Sequence, residues 1–234
     1  MGLLEKIKKD FPFKVKIGDK TIKYRPWNTK EEKNYLLVSG SKENPTFEDI
    51  ENILLTNCVE NYDEIKKDLT EGEKYLLLLE IRKFSISETI DLKFECVKCK
   101  KLNDLAAPLD KIVHYKEANY KEVKLDNKVF YFGKPKTEKL VERVREEKDP
   151  IEKEFKNLLI HIQKIEIDDE VFDSFTFEEL YEFVSNLPAK EFDELSKEFN
   201  EMKEEFDVYL DTYCMFCNAE NKVVFGGIED FLWG

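Results

Sequence analysis

The residues best suited to chemistry in this chain are four cysteines that repeat one spacing. Cys96 and Cys99 make one CxxC, and Cys214 and Cys217 make a second. Two thiolates in such a turn reach two corners of a tetrahedron around one metal ion, and zinc accepts four sulfur ligands. The two pairs therefore form one complete ligand set, with no coordination position left for water or substrate. The expectation is one structural Zn2+ per chain, whose binding is coupled to folding. A long stretch of chain separates Cys99 from Cys214, but the entropy of closing a loop grows only logarithmically with its length. Two other fates exist for the pairs, as redox dithiols or as residues that merely pack. A redox CxxC sits at a helix N-terminus, where the thiolate pKa is depressed. Here each pair is entered from an alternating, strand-like segment. Asn103 and Asn221 follow four residues after the second cysteine, and Val223, Val224 and Phe225 resume a strand. The spacing predicts a hairpin at both. Cys58, which follows Ile53, Leu54 and Leu55 on a predicted helix, reads as a buried free thiol.

Other chemistry is sparse. His161 lies between Ile160 and Ile162 near a predicted helix end, where capping or packing is the ordinary role, and His114 reads as a partly exposed polar residue. With 51 acidic residues, adjacent pairs such as Asp168-Asp169 and Glu178-Glu179 arise without functional meaning. No GxxxxGK[ST] loop, HExxH helix or GxSxG elbow is present, and Gly226-Gly227 reads as a turn. The expectation is a protein that is not an enzyme, with no catalytic residue.

The net charge of −13 repels nucleic acid and anionic membranes. Lys98, Lys100 and Lys101 form a small basic cluster, diluted by Asp91, Glu95 and Asp104. The longest apolar run, Leu76 to Leu79, is far too short to cross a bilayer. MGLLEKIKKDFPF offers no signal-peptide core, and Lys6 stands where a myristoylation signal has Ser or Thr. These features lead us to expect a soluble protein made inside the cell, where cysteines serve as ligands rather than disulfides.

The elements that must position the cysteines recur in the same order. Hydrophobic residues make up 41% of the 234, with 18 Phe, enough for a substantial core. Val15 and Ile17, a Gly18-Asp19 turn, then Ile22 and Tyr24 predict a β-hairpin. Val123 and Leu125, an Asp126-Asn127 turn, then Phe130 and Phe132 predict another. Helices follow each. Thr29 with Glu32, Thr46 with Asp49, Thr70 with Glu73 and Thr176 with Glu179 have capping-box spacing, and Asp149-Pro150 with Glu152 marks a further start. Phe155, Leu158, Leu159 and Ile162 form one helical stripe, and Phe192, Leu195, Phe199, Met202 and Phe206 another. Lys136 to Asp149 reads as an exposed helix or a linker. Each series closes on a CxxC. The expected fold is α+β, with two similar lobes at 1–118 and 119–234, each a β-hairpin plus helices and a zinc knuckle, arising by duplication. In that arrangement the equivalent knuckles meet near an approximate twofold axis. Trp27 reads as core. Ile228, Phe231, Leu232 and Trp233 crowd the C-terminal end, with Trp233 either packed on the chain or an anchor for a protein partner.

Tyr24-Arg25-Pro26-Trp27 leading into Thr29-Lys30-Glu31-Glu32, a Leu-rich segment ending Ile81-Arg82-Lys83, and the strand before Cys96 and Cys99 together resemble the baseplate hub and hub assembly proteins of T-even-like contractile phages. Phe175-Thr176-Phe177-Glu178-Glu179, Leu187-Pro188, and a second CxxC followed by Asn, a strand and Phe231 fit the same pattern. The resemblance covers nearly the whole chain. It implies a structural or assembly protein of the tail baseplate hub that binds other hub or tail proteins, with homo-oligomerisation open. Its place would be the virion tail, or the host cytoplasm during tail assembly. The competing class is a zinc-ribbon-like adaptor or regulator that binds nucleic acid or the transcription machinery.

Overall fold

The computed structural model describes residues 10–41, 46–227 and 232. The expectations placed on Ile228, Phe231 and Trp233 lie outside them. The chain is mixed α and β and divides into two compact units. The first joins Met1–Lys116 to Glu205–Gly234, and the second is Glu117–Glu204. This division differs from two contiguous halves. The entry point lies close to the expected 118/119 boundary, but the chain after Glu204 belongs with the first unit. The cause is non-local strand pairing.

In the first unit, β1 (Phe13–Ile17) and β2 (Lys20–Tyr24) form the expected hairpin, with Gly18 at φ 58° in the turn. That sign of φ suits glycine. Helix α1 (Thr29–Ser41) follows. Its cap is Asn28 rather than Thr29: the Asn28 side chain accepts from Lys30 N at 2.9 Å, and Glu31 accepts from Asn28 N at 2.9 Å. The box thus lies one residue earlier than the Thr29–Glu32 spacing suggests. Glu31 also pairs with Arg25 at 2.9 Å, which compensates the burial of its charge.

A helical stretch then runs through α2 (Phe47–Ile50), a π-helical turn (Glu51–Leu55) and α3 (Thr56–Cys58). After α4 (Tyr62–Ile65) comes α5 (Glu71–Ser85). Thr46 with Asp49 and Thr70 with Glu73 are complete capping boxes. Strands β3 (Thr89–Glu95) and β4 (Leu102–Pro108) form a second antiparallel hairpin, with the first CxxC at its tip.

Strand β5 (Val113–Lys116) ends the first pass through this unit. The chain returns as β10 (Glu205–Tyr213), whose first half pairs with β5 and whose second half pairs with β11 (Glu220–Val224). The second CxxC lies at the β10–β11 tip. Tyr24, Trp27, Leu54, Leu55, Leu77, Leu78, Ile81, Ile112, Leu210 and Leu232 are buried in one core. The exclusion of these side chains from water is the main favourable term holding the unit.

The second unit opens with β6 (Glu122–Leu125) and β7 (Lys128–Phe132), the expected hairpin. Strands β8 (Ile162–Ile167) and β9 (Glu170–Phe172) extend it to a four-stranded antiparallel sheet. Helix α6 (Glu138–Arg145) resolves the charged 136–149 segment and buries Val144. Helix α7 (Pro150–His161) starts where Asp149 accepts from Ile151 N and Glu152 N. Helix α8 (Phe177–Ser185) starts at the Thr176–Glu179 capping box, and α9 (Ala189–Met202) follows Pro188. Two stripes overran their helices. Ile162 is the first residue of β8, and Phe206 lies in β10 of the first unit. Phe130, Phe132, Leu158, Leu159, Leu195, Phe199 and Met202 are buried together here.

Candidate metal centre

Cys96, Cys99, Cys214 and Cys217 converge in the first unit. Their ligand atoms all lie within 4.8 Å of one another. Cys96 Sγ is 3.7 Å from Cys217 Sγ, and Cys99 Sγ is 3.6 Å from Cys214 Sγ. Sulfurs bound at about 2.3 Å to a central ion stand about 3.8 Å apart in a tetrahedron. All four are free thiols rather than disulfides. The arrangement fits a tetrahedral metal ion, and four sulfurs suit zinc.

Both turns are built alike. In the first, Cys96 N donates to Lys101 O at 3.0 Å and Lys100 N donates to Cys96 O at 3.0 Å. In the second, Cys214 N donates to Ala219 O at 2.9 Å and Asn218 N to Cys214 O at 2.9 Å. Lys100 and Asn218 take left-handed φ values of 60° and 55°, so each turn folds back into its second strand. Lys98 N and Phe216 N each approach the sulfur two residues earlier at 3.4 Å. Every one of these positions is related to its counterpart by 118 residues, as Cys96 is to Cys214.

The turns also clasp each other. Asn103 Oδ1 accepts from Met215 N at 2.9 Å, and Asn221 Oδ1 accepts from Val97 N at 2.9 Å. Each amide group then donates within its own hairpin, Asn103 to Lys101 O at 3.0 Å and Asn221 to Ala219 O at 2.8 Å. Asn221 Nδ2 also faces Cys96 Sγ at 3.7 Å. Both asparagines are buried. In the sequence these asparagines serve only to mark the two hairpins. The recurrence of Asn four residues after each CxxC is the signal that could have found them.

Electrostatics set Cys96, Cys214 and Cys217 apart. The N–H groups of Cys99 and Lys98, with Cys214 and Asn221, pull the Cys96 thiol down to about 6 against the opposing effect of burial. Burial raises Cys214, yet the N–H groups of Phe216 and Cys217 and the side chains of Cys99 and Asn103 leave it lowered. At Cys217 the Ala219 N–H lowers the pKa, but burial and the crowding of Cys99, Cys214 and Cys96 push it up to about 11. Thiols this close cannot all ionise without a cation among them.

The remaining candidates are structural. Cys58 is fully buried in the first-unit core, and burial pushes its thiol up to about 12, which makes it inert. His161 ends α7, donates from Nδ1 to Gly133 O at 3.0 Å and stacks on Tyr120. Its burial lowers the pKa. His114 stacks on Tyr209 with ring centres 3.9 Å apart. Trp27 is buried, as expected. No helix among the described residues is long and apolar enough to cross a membrane.

The described residues define an α+β protein with small antiparallel sheets and a cluster of four free cysteines that could hold a metal ion. The family can be stated more narrowly. A family model described as T4 bacteriophage base plate protein matches residues 8–233, so the chain belongs to that family of structural tail proteins, whose members assemble with other phage tail and base plate proteins. Neither the curated proteins nor the solved structures include a match to it.

Proposed function

We propose that this chain is a non-enzymatic component of the base plate hub, acting in hub structure or assembly through protein contacts and stabilised by one Zn2+ bound to Cys96, Cys99, Cys214 and Cys217. The observation that carries the zinc reading is the convergence of four thiols from two widely separated turns to within 4.8 Å. Four sulfurs fill the coordination sphere, so the ion's contribution is to bind two hairpins into one unit. Family membership supports the tail assignment, and the order of elements in the sequence supports the hub. Duplication belongs to the same proposal. Hairpin, helices and CxxC hairpin recur in order, and the two turns match bond for bond. In this reading the second knuckle hairpin joined the first because each supplies half of the ligand set.

Metal analysis of purified protein, with Cys96→Ser and Cys214→Ser beside it, tests the centre. One zinc per chain is expected, lost equally in both variants. A full metal equivalent retained in either would sink the single shared site. Cross-linking with mass spectrometry of finished tails and of base plate intermediates tests the hub. Links to central hub proteins are expected, and links confined to the base plate periphery would remove the hub assignment.

A further inference from the structure

The surface around the cysteine cluster has properties that metal binding does not require. Val97 and Met215, the residue after the first cysteine of each turn, are 65% and 66% exposed. Leu102, Tyr213 and Phe216 are exposed as well. Single exposed apolar residues are ordinary, but a contiguous group of large ones marks an interaction surface. These five lie in or next to the two turns, which meet at their sulfurs and across which Lys101 Nζ lies 4.8 Å from the centre of the Phe216 ring.

The charge at this tip opposes that of the chain. Between Cys96 and Leu102 there are three lysines and no carboxylate, and between Cys214 and Ala219 there is no charged residue, although the chain carries −13. Lys100 reaches Glu95 at 3.9 Å, while Lys98 and Lys101 enter no salt bridge among the described residues. We infer that the tip formed by the two cysteine turns is a docking surface for an acidic, apolar patch on another base plate protein. The inference rests on the four-thiolate centre, since the ion would fix both turns as one rigid platform.

The chemistry disfavours other occupants. A second copy docked tip to tip about a twofold axis would bring the same lysines against each other. A phosphate backbone wants a basic stripe tracking several phosphates, which three lysines on a single turn do not make. An acidic partner gains from Lys98 and Lys101 at the rim while apolar contacts fill the centre.

The test uses full-length protein and, as probe, immobilised base plate intermediates isolated from an infection that lacks this chain. Met215→Asp with Phe216→Asp, and separately Lys98→Glu with Lys101→Glu, are compared with a Val171→Asp control in the second unit. Binding is expected to weaken at least about tenfold in both tip variants and not in the control, with metal content unchanged. The interaction should also weaken as salt rises. Tip variants that bind as well as wild type while keeping their metal would overturn the docking surface and leave the metal centre standing. Loss of wild-type binding on nuclease treatment, or a wild-type dimer that the tip variants abolish, would overturn the protein partner in favour of nucleic acid or a second copy. Metal-free wild-type protein whose tip variants still lose binding would overturn the zinc centre and support the docking surface.

Discussion

Residues 117–204 build their core from one continuous stretch of chain, whereas the first unit takes its last two strands from a segment that follows the whole second unit. The chain leaves the first unit at Lys116 and re-enters at Glu205, and these two residues are paired neighbours across β5 and β10. The ends of the second unit are close too, since Asn119 N donates to Met202 O at 2.8 Å. The second unit therefore has the topology of an insertion between adjacent strands, which costs little beyond loop closure. The first unit must still recover its C-terminal hairpin against that entropy. It does so with apolar contacts, a short β5–β10 ladder and, at the hairpin tips, the cysteine cluster. The contrast teaches that a small core suffices when contacts are sequential, and that non-local strand pairing and core contacts must do more where the chain returns from far away.

Metal removal should separate the units most sharply. Chelation, or Cys214→Ser, is expected to remove on the order of 10 kcal/mol from the first unit if the ion contributes as it does in small zinc domains. Trp27 is buried in the first unit's core. Tryptophan fluorescence should then report early unfolding while far-UV circular dichroism retains the second unit's transition. A single transition moved as a whole would break the comparison.

The converse change is Phe199→Ala. Phe199 is 2% exposed in the second-unit core, stacked on Phe132, and truncation there typically costs about 3–5 kcal/mol. The loss should appear in the circular dichroism transition of the second unit alone, with zinc content and tryptophan signal unmoved.

What could be read from the sequence was local. Three capping boxes and the Asp149-Pro150 start were legible because the cap and its carboxylate lie three residues apart and satisfy each other. Both hairpins without cysteines were legible through alternation around a turn. The grouping of the four cysteines was legible because metal chemistry restricts residue type and spacing. Helix ends were harder: Ile162 and Phe206 continue the apolar phase of α7 and α9, and hydrophobicity alone does not say where the backbone stops coiling. The membership of β10 and β11 left no local trace. Their alternation is the same whichever unit they join, and the pairing of β10 with β5 is made across the whole second unit.

The paired asparagines refine the picture of the first unit. Asn103→Ala strands the Met215 N–H, and Asn221→Ala strands the Val97 N–H. Each lost hydrogen bond should cost about 0.5–1.5 kcal/mol. If the two turns are equivalent halves, the two variants lose similar stability and weaken zinc retention in a chelator competition to a similar degree. A large effect from one and none from the other would show that only one turn organises the centre.

The smallest effect is electrostatic and belongs to the second unit. Lys156 and the N–H groups of Asp149 and Lys148 hold the Glu147 carboxyl down at about 2. A carboxyl lowered on folding adds stability that is fully present above its unfolded value, about 4.3, and is lost as pH falls toward 2. Glu147→Gln should therefore leave the second unit's melting almost unchanged at pH 3 and lower it slightly at pH 7, a small effect for an ion pair at the surface. The first unit's tryptophan transition, read with the same pair of proteins at both pH values, should not respond to the substitution. A response there would mean that the two units share stability across the Lys116–Glu205 junction, and the contrast between them would then be one of topology alone.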